Sequence, residues 1–249
     1  MPRRTSKPAR ISSFSLRPGR RIGRRYEVVQ LLGRGTEGEV YQLLETDTGI
    51  HRAAKIYFPH KDPDHGSTIW YARKLNTLRH CPIVLQYHHT EIIQVARQKV
   101  RCLISDFAEG MQLERWIEKH RQGRVPLFRA LHVLYHLVRG LEAVHALGEY
   151  HADVHSQNIL IRPVGVAFDM KLVDFYDWGR PAAYKQRQDI YNCVQIFLEC
   201  LGGRRYYPRQ PPEVRYIVAG LRRSLILERF PTIVALRRHL ESFEWKTMI

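Results

Sequence analysis

The sequence predicts an α+β chain built in two halves: a five-stranded antiparallel sheet with one helix, then a mainly α-helical half. Up to Phe107, short runs rich in Val, Ile and Tyr alternate with turns containing glycine or acidic residues. After Gly110 the apolar residues recur with a helical period instead.

The first three strands are YEVVQLL from Tyr26, EVYQLLE from Glu39 and HRAAKIYF from His51, joined by a glycine turn and by a turn at Glu45 to Gly49. Together they make an antiparallel meander. Ser67 to Leu78 reads as a helix with Ile69, Ala72, Leu75 and Leu78 on its inner face. TEIIQVA and KVRCLISDF supply the last two strands. In the second half, helices are expected at Leu113 to His120 and Leu127 to Leu147, the latter with Leu131, Leu134, Leu137, Val138, Leu141 and Val144 facing in. Two short strands, NILIRP and MKLVDF, precede helices at Asp189 to Leu201, Pro212 to Ser224 and Pro231 to Phe243.

A chain of 249 residues with 44% hydrophobic content is ample for one buried core. The cysteines, Cys81, Cys102, Cys193 and Cys200, form no CxxC pair, which argues against a zinc cage or a disulfide framework and fits a reducing cytoplasm. No apolar run approaches the roughly 18 residues of a transmembrane helix, and no secretory leader is visible, so a soluble cytoplasmic protein is expected. The net charge of +16 is concentrated at the start: Arg3, Arg4, Lys7, Arg10, Arg17, Arg20, Arg21, Arg24 and Arg25 precede the first acidic residue. Residues 1–21 therefore read as a disordered basic tail. Its charge suits an acidic partner, nucleic acid or anionic lipid, or serves only solubility.

Gly33-Arg34-Gly35-Thr36-Glu37-Gly38-Glu39-Val40 is a GxGxxGxV pattern between two strands, a context unlike a dinucleotide-binding turn. Glycines here let backbone amides approach phosphate oxygens, although a glycine hairpin alone is more often just a turn. Lys55 interrupts an apolar strand, where it needs an anion or points to water. His151-Ala152-Asp153-Val154-His155-Ser156-Gln157-Asn158 follows the long helix, and Asp174-Phe175 ends a later apolar strand. Asp153 as base, with Asn158 and Asp174 as hard oxygen ligands for Mg²⁺, is a set suited to phosphoryl transfer. His151 and His155 also read as a zinc pair, but no third ligand has persuasive spacing.

In this order and context, GRGTEGEV, AAKIY, HADVHSQN and DFY resemble the nucleotide loop, phosphate-anchoring lysine strand, catalytic loop and metal-binding aspartate of the protein kinase superfamily. DIYNCVQIFLECLGG and ERFPTIVALRRHL are similar to its later helices. The resemblance runs from about Ile22 to Phe243 and implies a two-lobed protein-kinase-like fold. The first lobe would take about residues 22–106, the hinge about 106–110, the second lobe about 111–243, and a short tail 244–249. It implies ATP and Mg²⁺ as cofactors. Gly33, Gly35, Gly38, Val40, Ala53 and Lys55 would hold the nucleotide, and Asp106 to Ala108 would meet adenine through the backbone. Lys55, Asp153 and His155 would act in catalysis, and Asn158 and Asp174 would bind the metal. The implied acceptor is a Ser/Thr hydroxyl of a protein, ahead of a small molecule. A pseudokinase that binds ATP without transferring phosphate is the alternative.

The pattern departs from the family in several places. The helix glutamate that pairs with the strand lysine is missing, its position falling near Tyr71 or Ala72. Ala152 and His155 replace the catalytic-loop arginine and lysine, and HADVH resembles the HxDxH loops of small-molecule kinases. Tyr176 replaces the glycine of DFG, where its Cβ restricts the backbone. The stretch from Asp174 to Asp189 is short and lacks APE, leaving Arg229 without its family partner and making control by activation-loop phosphorylation unexpected.

Overall fold

Apolar side chains on both faces of the first strands decide how the N-terminal half is built. The computed structural model describes residues 11–95, 98–175 and 183–242. The chain divides into two compact units: one runs to Arg79 and resumes over Leu85–Ala108, the other takes His80–Val84 and continues from Glu109.

The first unit contains β1 (Arg21–Ile22), β2 (Tyr26–Arg34), β3 (Gly38–Glu45), β4 (His51–Tyr57), helix α1 (Gly66–Thr77), β5 (Tyr87–Val95) and β6 (Gln98–Asp106). They form an antiparallel sheet of order β1-β2-β3-β4-β6-β5, one strand more than the sequence predicts. Its register sets Val40 opposite Lys55 and Ala53 opposite Ser105, so these four share a face. Tyr41, Leu43, Ala54, Ile56 and Ile104 point the other way.

That second face is covered by the N-terminal segment. Phe14 and Leu16 are each 6% exposed and belong to the same buried cluster as Tyr41, Leu43 and Ile56. The Phe14 ring lies 5.3 Å from that of Phe58. Residues 11–21 are thus ordered rather than a disordered tail, because an apolar sheet face left in water is costly and Ile11, Phe14 and Leu16 are the apolar residues available. The preceding ten residues, with Arg3, Arg4, Lys7 and Arg10, lie outside the described residues.

Helix α1 departs from its expected face in one position. The Asp62 carboxylate accepts the first-turn N–H groups of Ser67 (2.8 Å) and Thr68 (3.2 Å), together with the Thr68 hydroxyl. Thr68, Tyr71, Ala72 and Leu75 then face inward, and Ile69, one residue on from Thr68, is 39% exposed.

The second unit contains β7 (Met111–Gln112), α2 (Leu113–Glu118), α3 (Leu127–Ala146), β8 (Ile159–Val164), β9 (Ala167–Leu172), α4 (Ala183–Cys200), α5 (Pro212–Val218), α6 (Arg223–Arg229) and α7 (Ile233–Glu241). Strands β7, β8 and β9 form a small sheet. The inward stripe of α3, from Leu131 through Val144, packs against α4 and α7. A Cβ on Gly140 would lie 2.3 Å from Ile83, so glycine lets that side chain lie against α3. Ile83 in turn accepts the N–H of Leu172 at 2.7 Å.

Two helix boundaries differ from expectation. Helix α4 opens at Ala183, ahead of Asp189. The single helix expected over Pro212 to Ser224 is broken, because Ala219 (φ 47°), Gly220 (φ 63°) and Leu221 (φ 57°) are left-handed and the Gly220 N–H is held by the Tyr207 hydroxyl at 2.9 Å. No helix among the described residues is long and apolar enough to cross a membrane.

Replacing Phe14 by Ala should destabilise the protein by about 3 kcal/mol, the scale of a buried aromatic truncation. Denaturant unfolding measures this. A loss within error of zero would mean that the segment does not cover the sheet in solution.

Candidate active site

In the first unit the predicted nucleotide residues come from the β2–β3 hairpin and from β4. Gly33 and Gly35 face open space, since a Cβ on either would meet no protein atom within 4 Å. Packing therefore does not require glycine at these two positions. Gly38 differs: a Cβ there would lie 2.1 Å from the Ile56 carbonyl oxygen, so it allows the hairpin to close on β4. Val40 pairs with Lys55, and Ala53 is buried between Gln42 and Ser105.

The Lys55 ammonium lies 3.8 Å from Glu37 Oε2, on the glycine turn itself. It also lies 5.0 Å from the centroids of the Tyr57 and Tyr71 rings. Tyr71 stands in the region where the helix glutamate was missed, and its π face supplies negative potential without a carboxylate. A cation needing a partner was legible in the sequence; the tyrosine rings and Glu37 were not. Asp106 donates its N–H to the Gln86 carbonyl (2.9 Å), and its carboxylate meets Arg52 (3.0 Å) and His88 (2.7 Å). Ala108 is the last residue of this unit.

In the second unit, one buried histidine organises the catalytic segment. His151 Nε2 donates to the Val173 carbonyl at 2.9 Å, and its Nδ1 accepts the Asp153 N–H at 3.2 Å. Both ring nitrogens are thereby committed, which removes His151 from any zinc pair with His155. Burial pushes its pKa down, against the opposing pull of Asp189 and the Val173 hydrogen bond, and keeps the ring neutral. Asp189, fully buried on α4, accepts the N–H groups of His151 (2.9 Å) and Ala152 (2.8 Å), and His145 Nε2 lies 3.1 Å away. Ala152 is held at φ 70°, a left-handed conformation that costs about 1–3 kcal/mol for such a residue and persists only where its surroundings impose it.

The candidate catalytic groups are gathered by this frame. Asn158 Nδ2 donates to the Asp153 carbonyl (3.0 Å) and to Asp153 Oδ2 (3.2 Å), and His155 Nε2 lies 3.5 Å from the same carboxylate oxygen. The Val173 N–H donates to the Asn158 carbonyl at 3.0 Å, so Val173 ties the catalytic segment to the residue next in chain, Asp174. With its amide nitrogen engaged, Asn158 has Oδ1 to offer a metal, and Asp174 would be the carboxylate to join it. Such a sparse, hard donor set suits Mg²⁺, which takes its remaining ligands from phosphates and water.

Further residues support the segment without having been read as functional from the sequence. The Ser156 hydroxyl donates to Glu199 at 2.7 Å, and burial raises the pKa of that carboxyl. The Gln157 side chain donates to Glu114 at 2.9 Å. Arg229 finds a substitute for its family partner by donating to the Tyr216 carbonyl and stacking 4.2 Å from the Tyr216 ring. Tyr176 and most of the shortened segment after Phe175 lie outside the described residues.

Residues 26–189 match the family model of the protein kinase domain. The chain belongs to the protein kinase family. Among its curated relatives, CBL-interacting protein kinase 29 of Oryza sativa subsp. japonica is 31% identical over 168 residues, covering 63% of this chain and 36% of that one. The serine/threonine-protein kinase PknA of Mycobacterium tuberculosis is 29% identical over 165 residues, covering 65% and 37%. The kinase thus matches little more than a third of the length of these relatives. In solved structures, the PknI kinase domain of Mycobacterium tuberculosis superposes with a TM-score of 0.64 at 19% identity, covering 91% of this chain and 98% of that one. This likeness extends the kinase fold over nearly the whole chain.

The buried neutral histidine carries a pH signature. Its folded pKa lies below the ordinary histidine value of about 6.5, so the unfolded chain binds the proton more readily and the His151 contribution is complete above about 6.5 and lost as pH falls below it. Unfolding free energies of the wild type and His151→Gln, measured from pH 8 to pH 5, should converge on the acid side. A difference independent of pH would show that His151 is not buried neutral.

Proposed function

We propose that this kinase transfers the γ-phosphate of Mg-ATP to a Ser or Thr hydroxyl of a protein, with Asp153 as the base. The observation that carries the proposal is the Asp153 carboxylate, with one oxygen 3.2 Å from Asn158 Nδ2 and 3.5 Å from His155. It is half exposed, so an acceptor can reach it, while its backbone is pinned through His151. The serine/threonine class named for PknA supports the acceptor assignment.

In this reading the backbone at Gly33, Gly35 and Gly38 meets the nucleotide phosphates and Lys55 neutralises the α- and β-phosphates. The Asp106 to Ala108 backbone meets adenine. Asp153 orients the acceptor hydroxyl and takes its proton as the oxygen bonds to phosphorus and ADP leaves. Asn158 and Asp174 would hold Mg²⁺, which would supply charge neutralisation on the phosphates. His155 takes the place of the usual catalytic-loop lysine and, when protonated, adds positive charge beside the transferred group.

A second reading, nucleotide binding without transfer, is favoured by one observation: Lys55 faces Glu37 and two tyrosine rings in place of a helix carboxylate. The two readings separate in one assay. Phosphate transfer and ADP release from Mg-ATP, with protein acceptors and without, should fall by about 10²- to 10⁴-fold in Asp153→Ala, the usual contribution of a positioned base. Equal signals from the two proteins, or magnesium-dependent ATP binding with no transfer from either, would favour the second reading.

A further inference from the structure

The N-terminal segment and the glycine-rich hairpin meet at one carboxylate. Glu39 follows Gly38 directly and is Arg34's cross-strand partner at the base of the hairpin. Its side chain lies on the apolar face of the sheet with none of its surface exposed. Donors converge on it from Phe14, whose backbone N–H lies at 3.1 Å, from Arg34 Nε at 2.6 Å and from the Tyr41 hydroxyl, with the Ser13 side chain beside them. Burial alone would raise its pKa, but the bonds from Tyr41, Phe14, Arg34 and Ser13 hold it below the usual carboxylate range. Tyr41 pays the complementary cost, its pKa pushed up to about 12 by burial and by the bond to Glu39.

The same group of residues closes a second circuit. The Arg34 guanidinium, from the middle of GRG, donates through Nη2 to the Ser13 hydroxyl at 2.7 Å, and Ser13 and Ser15 hydroxyls lie 2.9 Å apart. The Leu16 N–H donates to the Tyr41 hydroxyl at 3.3 Å. Farther along, Gly19 N–H bonds the Val28 carbonyl and Val28 N–H the Arg20 carbonyl, both at 2.9 Å, fixing the segment to β2. Phe14 and Leu16 anchor it in the core on either side of these bonds.

We infer that residues 13–16 are a strap that, through Glu39 and Arg34, holds the glycine-rich hairpin in the conformation that receives nucleotide phosphates. The physical reason is that a buried carboxylate must keep its donors. Docking the strap supplies one donor to Glu39. Glu39 in turn fixes Arg34, and Arg34 with Gly38 frames the turn at Gly35, Thr36 and Glu37. A hairpin held in this way has less freedom to lose when phosphate binds. Glu39, Ser13 and Phe14 are therefore positioning residues that touch no nucleotide atom themselves. The inference rests on the proposed role of the glycine turn in binding ATP.

The test uses the full chain with Glu39→Gln and Ser13→Ala, two readouts and two ligands. Hydrogen exchange at residues 33–38 without nucleotide should speed up in both variants, more in Glu39→Gln. Mg-ATP affinity should weaken roughly 3- to 10-fold in Glu39→Gln, the scale of one lost hydrogen bond. Adenosine, which lacks phosphates, should bind as it does to the wild type. Ser13→Ala leaves the carboxylate and the core intact, so it decides the matter if Glu39→Gln does not fold. Unchanged exchange together with an unchanged ATP-to-adenosine affinity ratio in the folded variants would overturn the strap. Wild type that binds no Mg-ATP would overturn the proposed function instead, and the exchange arm would still judge whether the strap holds the hairpin.

Discussion

The catalytic segment depends on the fully buried carboxylate of Asp189. A buried carboxylate without donors is among the costliest groups a protein can carry. Asp189 meets that demand by accepting two consecutive backbone N–H groups, those of His151 and Ala152, with His145 beside it. The same bonds impose the left-handed Ala152 and leave the His151 ring able to bridge Asp153 and Val173. Helix α4 thus acts as a platform from which Asp153 and Val173, the residue preceding Asp174, are positioned through His151.

The first unit solves a comparable problem with a sheet that is apolar on two faces. Helix α1 packs on β5 and β6, and the N-terminal segment covers the cluster around Tyr41 and Ile56. Glu39 lies within this second apolar layer, which couples covering the sheet to shaping the hairpin. Lys55, on the face shared by Val40 and Ala53, is steadied by Glu37 and by tyrosine rings. An ion pair with a half-exposed Glu37 is weak and screened. It can yield to a multiply charged phosphate at small cost, which is compatible with the role proposed for the lysine.

The departures from family pattern are local and have local compensations. Arg229, deprived of a glutamate, bonds a carbonyl and stacks on Tyr216. Tyr71, in the region where the family's acid is expected, presents a ring to Lys55. Ser156 pairs with Glu199 and Gln157 with Glu114, so the altered loop is fastened between Asp153 and Asn158 to both α4 and α2.

Much of this was legible in the sequence. Alternating apolar residues over β2 to β4, the helical stripe of α3 and the order of the four motifs state local preferences and chemical types, which a linear pattern carries directly. The sequence by itself determined the fold class and the family resemblance, and it singled out Lys55, Asp153, Asn158 and Asp174 as candidates for the site. It misread residues 11–21, because charge density dominates their composition while two apolar residues, Phe14 and Leu16, decide their fate. It placed Ile69 inward, because periodicity does not register the pull of Asp62 on the first turn of α1. Only the tertiary structure decided what surrounds Lys55, which groups hold His151 neutral and why Glu39 is buried. These depend on contacts between residues far apart in the chain, whose energies come from desolvation and from hydrogen-bond geometry that no local pattern encodes.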